Sequence, residues 1–187
     1  MPRLLQKQER LVVLSKDLTT IANARSVGLR VEDLSARHLG DLHELNRTRG
    51  QLASDRRFAR YLEQGFSGFI GYCDDHVAGY YWWVDREGAP RFPDLRKMGL
   101  GISLGEKDVY GSDFYVLDER RGGGIAAAFL LHVETRLRDR GYERIWGYVV
   151  SDNRPARWTY STRGYEPMWV VMRRRVGPFW RATREPL

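Results

Sequence analysis

The sequence contains few of the residues that build disulfides and metal centres. It has a single cysteine, Cys73, so no internal disulfide can form. The four histidines show no metal-ligand spacing with that cysteine or with one another; they are His38, His43, His76 and His132. We therefore expect no bound metal.

Long apolar runs are missing as well. No run of about eighteen apolar residues, the length of a membrane span, occurs in the sequence. The opening residues, MPRLLQKQERLVVLSKDL, carry charges on both sides of a short apolar stretch, unlike a secretion signal. These absences predict a cytoplasmic protein without a membrane partner.

Charge of both signs is present, with a surplus of positive charge. Lysine and arginine number 31 against 24 aspartates and glutamates, which leaves a net charge of +7. This balance fits a nucleic acid, an anionic cofactor or a solvated basic surface. Arg173, Arg174 and Arg175 alternate along a predicted strand and cannot share one face, and no recognised nucleic-acid motif occurs. We expect no nucleic-acid partner.

The hydrophobic pattern of the first half predicts two strands followed by two amphipathic helices. The chain has 187 residues, 42% of them hydrophobic, which is enough for the core of one domain. Residues 10–17 and 28–34 are predicted as edge strands. Ser35 is placed to cap the first helix, and Ser54 or Asp55 the second.

Residues 67–85 predict an aromatic β-hairpin that turns at 74–76. Alternation places Tyr81 and Trp83 on one side of its second strand, and Tyr80 and Trp82 on the other. One set must be core. The other set could also be core, or it could form an interface or line an acceptor pocket.

The second half of the sequence alternates between strand and helix. Residues 86–108 contain two prolines and no clean period, which predicts a long loop beside a site. From residue 108 onward, strands alternate with helices at 125–140 and 153–164, and a closing strand ends at residue 176. Residues 177–187 have no assignable pattern.

Three consecutive glycines precede the helix at 125–140, in the stretch ERRGGGIAAAFL. One interpretation is that the glycines simply form the turn that leads into the helix. Here they leave bare backbone N–H groups at the positive end of the helix dipole, after two arginines, which favours an anion site. Gly122, Gly124 and Ala127 also fit a dinucleotide fingerprint, but the acidic residue at the end of the next strand, Asp152, lies 28 positions past Gly124 and not about 20.

Two motifs around this helix resemble a known family. Residues 121–126 read R-x-x-G-x-A and resemble the acyl-CoA signature Q/R-x-x-G-x-G/A of the GCN5-related N-acetyltransferase (GNAT) superfamily. Downstream, an Asn opens a helix, a Tyr lies on it and a Gly-aromatic pair closes it, as in the family's second motif. These residues are Asn153, Tyr160, Gly164 and Tyr165.

The resemblance implies a mixed α/β (α+β) fold. Its central sheet would be mixed and mostly antiparallel, with two splayed parallel central strands and about four flanking helices. The chain would form a single domain over residues 1–187. In it, residues 1–108 would supply the acceptor side, 109–176 the acyl-CoA-binding core and 177–187 a tail.

The resemblance also implies an N-acyltransferase that uses acetyl-CoA or another acyl-CoA. The pyrophosphate would rest on the motif at the helix start, with Asn153 also on the cofactor side. Val116 N–H would donate to the thioester oxygen, and Tyr160 would protonate the leaving thiolate. The motif residues are Arg121, Gly122, Gly123, Gly124, Ile125 and Ala126.

The general base is left open by the sequence. Simple alternation places Tyr110 and Ser112 on the side of Val116 and Asp113 on the other, and a bulge would reverse this arrangement. Asp113 is one candidate base, and proton release to bulk solvent is the other.

The acceptor is also left open. We expect a small-molecule amine, with a protein lysine or N-terminus and a non-catalytic acyl-CoA-binding module as alternatives. A homodimer is possible. A cluster of first-half arginines fits either an acidic acceptor or a solvated helix face; they are Arg47, Arg49, Arg56 and Arg57.

Overall fold

The computed structural model describes residues 8–21, 28–117 and 124–187. The strands are β1 (Gln8–Asp17), β2 (Leu29–Asp33), β3 (Ser67–Cys73), β4 (His76–Asp85), β5 (Asp108–Val116), β6 (Arg144–Val150), β7 (Glu166–Val176) and β8 (Phe179–Glu185). The helices are α1 (Leu39–Thr48), α2 (Ala53–Glu63), α3 (Pro93–Met98), α4 (Ile125–Asp139) and α5 (Arg154–Thr162). Short 3-10 turns precede α1 and α3.

All eight strands join one sheet in the order β2-β3-β4-β5-β6-β1-β7-β8. The neighbouring strands run antiparallel except β5 and β6, which are parallel. The predicted fold class is confirmed: the sheet is mixed and mostly antiparallel, and four longer helices and the six-residue α3 flank it.

The parallel pair separates soon after it begins. β5 and β6 are paired only from Asp108↔Arg144 to Tyr110↔Trp146. Beyond that point, residues 111–116 continue beside β4 and residues 147–150 continue beside β1. The space between these two stretches, called here the β5–β6 opening, is the splay implied by the family resemblance.

The edge position predicted for β1 is wrong. β1 lies between β6 and β7 and is antiparallel to both, with Leu11 opposite Val150 on one side and Val171 on the other. Four consecutive apolar residues, Leu11–Leu14, explain the interior position, because both faces of this strand are covered. The edge prediction holds for β2, and β8 forms the other edge.

Two further expectations about loops need correction. The stretch 86–108, expected to be a loop, contains a 3-10 turn and α3, which Pro93 opens and Gly99 ends at φ +64°. The stretch 177–187 is not an unpatterned tail, because Gly177, at φ +61°, turns the chain back so that β8 pairs along β7. The hairpin of β3 and β4 turns at Asp74-Asp75 as predicted, both residues having positive φ.

The sheet separates two apolar clusters. On the α1–α2 face, helices α1 and α2 cover a cluster that includes Phe58, Tyr80 and Trp82. On the α4–α5 face, helix α4 and part of α5 cover a second cluster that includes Tyr81 and Trp83. Both sets of hairpin aromatics are therefore core, and neither forms an exposed interface.

Gly111 lies at the start of the β5–β6 opening and has no room for a side chain. The hydroxyl of Tyr81 occupies the position where a Cβ would be placed, and the ring carbon Cζ of Tyr81 is 2.6 Å from it. Because Tyr81 is only 2% exposed, we expect Gly111→Ala to lower the free energy of unfolding by about 1–3 kcal/mol through overpacking. Urea unfolding monitored by circular dichroism measures the change.

Gly147→Ala is the matched control for this substitution. A Cβ on Gly147 would meet only the carbonyl oxygen of Gly111, at the ordinary distance of 3.5 Å. Adding Tyr81→Phe to Gly111→Ala should restore part of the loss, because it removes the hydroxyl. Equal stability of the two alanine variants would contradict the packing argument.

Candidate active site

A bulge in β5 decides which side chains of this strand face which helices. Tyr80 pairs with Tyr115 and Trp82 with Ser112, so β5 has one extra residue opposite Tyr81. Asp113 lies in this bulge at φ +46°, an uncommon conformation outside glycine. The bulge moves Tyr110 to the face opposite Val116, whereas Asp113 stays opposite Val116, where simple alternation had placed it.

The bulge places the sequence-predicted residues of β5 on opposite faces. Tyr110 packs in the cluster on the α1–α2 face, and Val116 in the cluster on the α4–α5 face. Asp113 is on the α1–α2 face, because its carboxylate accepts hydrogen bonds from Arg57 and Tyr80. The side chains of Asp113, the candidate base, and of Val116 at the end of β5 therefore lie on opposite faces of the sheet.

The backbone of β5 aims a donor at the β5–β6 opening. Leu117 N–H donates to Ala78 O of β4 at 2.9 Å. Successive N–H groups of a strand point to opposite edges, so Val116 N–H is directed away from β4 and toward β6. This direction is the one that a donor to a thioester oxygen held in the opening needs.

The start of helix α4 and the end of β5 pack in the same apolar cluster, to which Val116, Ile125 and Ala126 contribute. Gly124 precedes the helix at φ +81°, and its carbonyl accepts from Ala128 N–H at 2.8 Å. The backbone N–H groups of Ile125 and Ala126 belong to the first turn, where helices have no internal acceptors for them. Three motif residues, Arg121, Gly122 and Gly123, lie outside the described residues.

Asn153 organises the start of α5. Its side-chain Oδ1 accepts a hydrogen bond from Ala156 N–H at 3.2 Å, and Pro155 occupies the first turn. Both features stabilise a helix N-terminus. The motif asparagine therefore sets where α5 begins, and with it the position of Tyr160.

Tyr160 projects from α5 into the α4–α5 face. Its ring packs edge-on against Tyr165, with 4.9 Å between the ring centroids. Burial raises the pKa of the Tyr160 phenol above its usual value, and the hydroxyl of Tyr148 and the carboxylate of Glu134 raise this pKa further. Tyr148 lies on β6 beyond its last pair with β5, so Tyr160 is close to the β5–β6 opening.

The two aromatic residues near Tyr160 behave differently. Tyr165 is buried, as expected for a residue that packs under α5. Trp158, two residues before Tyr160, is instead 67% exposed. On α5 the positions of Tyr160 and Trp158 are two residues apart, which places them about 200° apart around the helix.

The structure contains a buried ionic cluster that sequence reasoning missed. Glu134 of α4 is fully buried and accepts hydrogen bonds from Lys16 Nζ, at 2.6 Å, and from Arg163 Nη2. Burial lowers the pKa of Lys16, and its attraction to Glu134 opposes that shift. The signal was present in the sequence, since Glu134 interrupts the apolar stripe between Leu130 and Leu137.

A second network lies at the bulge on the α1–α2 face. Arg57 Nη2 donates to Asp113 Oδ2 at 2.6 Å, and Tyr80 OH donates to Asp113 Oδ1 at 3.1 Å. Arg49 Nη1 donates to Tyr80 OH at 2.8 Å, and the Arg49 guanidinium lies 3.5 Å from the centroid of the Tyr115 ring. Here β5 meets the two helices of the predicted acceptor side.

The arginine cluster of the first half is therefore divided. Arg49 and Arg57 form part of the network at the bulge, whereas Arg47 pairs with Glu44 on α1. Arg56 is exposed on α2. Only Arg49 and Arg57 of these four arginines lie at the bulge.

The described ranges contain neither a metal-binding cluster nor a membrane-spanning helix. No group of three or more His, Cys, Asp or Glu residues in these ranges is arranged to hold a metal ion. Within the same ranges, none of the helices is both long enough and apolar enough to cross a membrane.

The chain matches a known protein family over most of its length. The model of the Acetyltransferase (GNAT) family matches residues 36–165, from the turn before α1 to the residue before β7. The chain belongs to this family. The match includes Asp113, Val116, the start of α4 and Tyr160, and it leaves out β1, β2, β7 and β8.

A curated relative in this family shares about a third of its residues with the chain over the matched region. The mycothiol acetyltransferase of Kytococcus sedentarius is 32% identical over 124 residues, which is 63% of this chain and 36% of that protein. The chain therefore spans about a third of the length of this curated relative.

Solved GNAT structures share the fold at low sequence identity. A putative GNAT acetyltransferase from Novosphingobium aromaticivorans superposes with a TM-score of 0.60 at 14% identity, covering 89% of this chain and 63% of that one. The glucosamine N-acetyltransferase region of a fungal multi-domain β-N-acetylglucosaminidase gives 0.65 at 17% identity, covering 96% and 21%. At such identities the likeness concerns the fold alone.

Proposed function

We propose that this GNAT chain transfers an acyl group, most simply acetyl, from coenzyme A to a primary amine of a small molecule. The observation that carries the proposal is the β5–β6 opening, bordered by the first turn of α4, by Val116 N–H and by Tyr160. Both substrates would be bound together, with acyl-CoA at the α4 side and the amine at the α1–α2 face.

Each part of the opening has one task in this reaction. The first turn of α4, with the motif from Arg121 to Ala126, would bind the pyrophosphate of acyl-CoA. Val116 N–H would donate to the thioester oxygen and stabilise the negative charge that develops on it. Asn153 would contribute to the cofactor side by fixing where α5 begins.

The bond changes balance without a further reactant. The amine nitrogen forms a bond to the thioester carbon, and the carbon–sulfur bond breaks. The proton lost by the amine passes to Asp113 or to bulk solvent, and Tyr160 donates a proton to the departing thiolate. Tyr160 then regains its proton from solvent.

Binding and turnover test the proposal separately. We expect acetyl-CoA to bind with micromolar affinity or better in calorimetry, and we expect free thiol to be released with a panel of small amines. Absence of such binding would contradict the proposed function. Binding without thiol release would instead indicate an acyl-CoA-binding module, and release with peptides alone a protein acceptor.

Three further expectations concern where the protein acts and what it binds, and we keep them as proposals. They are a cytoplasmic location, a possible homodimer and the absence of a nucleic-acid partner.

A further inference from the structure

Arg49 presents an ordered guanidinium beside the proposed reaction centre. It follows the last residue of α1, is half-buried, and stacks on Tyr115 at 3.5 Å. Its Nη1 donates to Tyr80 OH, and it forms no ion pair with a carboxylate in the described part of the chain. A guanidinium has five N–H donors, so most of the hydrogen-bonding capacity of Arg49 remains for solvent or for a ligand.

The network around Arg49 has a surplus of positive charge. Arg57 is paired with Asp113, and Tyr80 OH connects that carboxylate to Arg49. Burial keeps the pKa of Tyr80 above its ordinary value, so this hydroxyl stays neutral. Two guanidinium groups therefore share one carboxylate, which leaves about one positive charge at the bulge.

The surplus charge lies next to the position of bond formation. Tyr115, on which Arg49 stacks, directly precedes Val116, whose N–H points into the β5–β6 opening. The amine approaches from the α1–α2 face, where Arg49 and Arg57 lie. An anionic group on the acceptor, a few bonds from the amine, would thus meet Arg49.

We propose that the acceptor amine carries a carboxylate and that Arg49 binds this carboxylate. This inference rests on the proposed function and names the substrate class. Arginine suits the role because its planar fork binds a carboxylate through two charge-assisted hydrogen bonds. The stacking on Tyr115 holds the fork in place before the acceptor arrives, and the Arg57–Asp113 pair supports Tyr80 behind it.

The test compares amino acids with their carboxamides. Glycine, β-alanine and γ-aminobutyrate are each paired with the matching amide, so that the distance between amine and carboxylate varies. Thiol release from acetyl-CoA gives kcat/KM, and calorimetry of the same compounds on the CoA-loaded protein gives affinity. We expect at least one acid to exceed its amide by about tenfold or more in both measurements, the usual strength of a charged hydrogen bond.

Variants assign the preference to Arg49. Arg49→Gln should reduce the ratio of acid to amide to near one, and Arg49→Lys should restore part of it. Arg56→Gln, which removes the same charge from a neighbouring exposed position, should keep the wild-type ratio. Arg49→Gln should still unfold in one cooperative transition and should keep the wild-type acetyl-CoA affinity, which separates lost recognition from misfolding.

The outcomes distinguish this inference from the proposed function. Equal handling of acids and amides by the wild-type protein, or a preference that survives in Arg49→Gln, overturns the carboxylate site. If no compound releases thiol although acetyl-CoA binds, the proposed reaction fails. A tenfold binding preference that Arg49→Gln abolishes would still uphold the site in that case, and equal binding would overturn it.

Discussion

Replacing Tyr160 with phenylalanine is expected to lower kcat by about 100-fold or more, the usual contribution of a general acid, with little change in acetyl-CoA affinity. The phenol lies near the β5–β6 opening, and its pKa is raised by burial and by Tyr148 and Glu134. A raised pKa keeps the phenol protonated, so it can donate throughout the range in which most amines react. Steady-state kinetics and calorimetry measure the two quantities.

Tyr165→Phe is the matched control for this prediction. Its hydroxyl is buried within the same aromatic pair and has no hydrogen-bond partner among the described residues. Losing it removes one oxygen atom from the same cluster without removing a proton donor at the opening. If Tyr160→Phe retains wild-type kcat, or if Tyr165→Phe lowers kcat equally, Tyr160 does not act as the acid.

Replacing Glu134 with glutamine is expected to cost about 3–5 kcal/mol of folding free energy, as for other broken buried ion pairs. Lys16 and Arg163 both donate to this carboxylate, and Lys16 is only 8% exposed. Glutamine keeps an acceptor oxygen but removes the negative charge that compensates two cations. Urea unfolding measures the loss.

The contrasting variant removes the whole ionic cluster. Lys16→Met, Glu134→Leu and Arg163→Met together should be far less destabilising than Glu134→Gln alone, because apolar side chains leave no uncompensated charge. Arg163 directly follows the last turn of α5, so loss of the cluster should also lower kcat by displacing Tyr160. A Glu134→Gln variant within about 1 kcal/mol of wild type would show that the charge is not needed.

The local elements were largely predictable because they depend on short-range patterns. The apolar stripe of α4 and the Asp74-Asp75 turn follow from periodicity and from residues that accept positive φ, as does the end of α4 just before Gly141, which has φ +90°. Apolar alternation could not place β1, since it does not distinguish the edge of this sheet from its interior. The pairing partners of β1 are at least 127 residues away in sequence, the separation of Asp17 and Arg144.

The sequence predicted the α4 side of the candidate site better than it predicted the acceptor side on the α1–α2 face. The α4 side follows from a contiguous motif, so Gly124, Ile125 and Ala126 take positions that the sequence indicates. The acceptor side depends on a bulge, which one extra residue in β5 creates and which period-two alternation conceals. The roles of Tyr160, Asp113 and Asn153 remain predictions that kinetics must decide.

By itself, the sequence determined the family, the order of the helices and strands other than α3 and β8, and the residues that resemble both GNAT motifs, because these depend on residue type and spacing along the chain. Only the tertiary structure decided the splay of β5 and β6, the interior position of β1, the buried Lys16–Glu134–Arg163 cluster and the meeting of Arg49 with Tyr115. Each of these needs contacts between residues distant in sequence, and no local pattern encodes which partners meet.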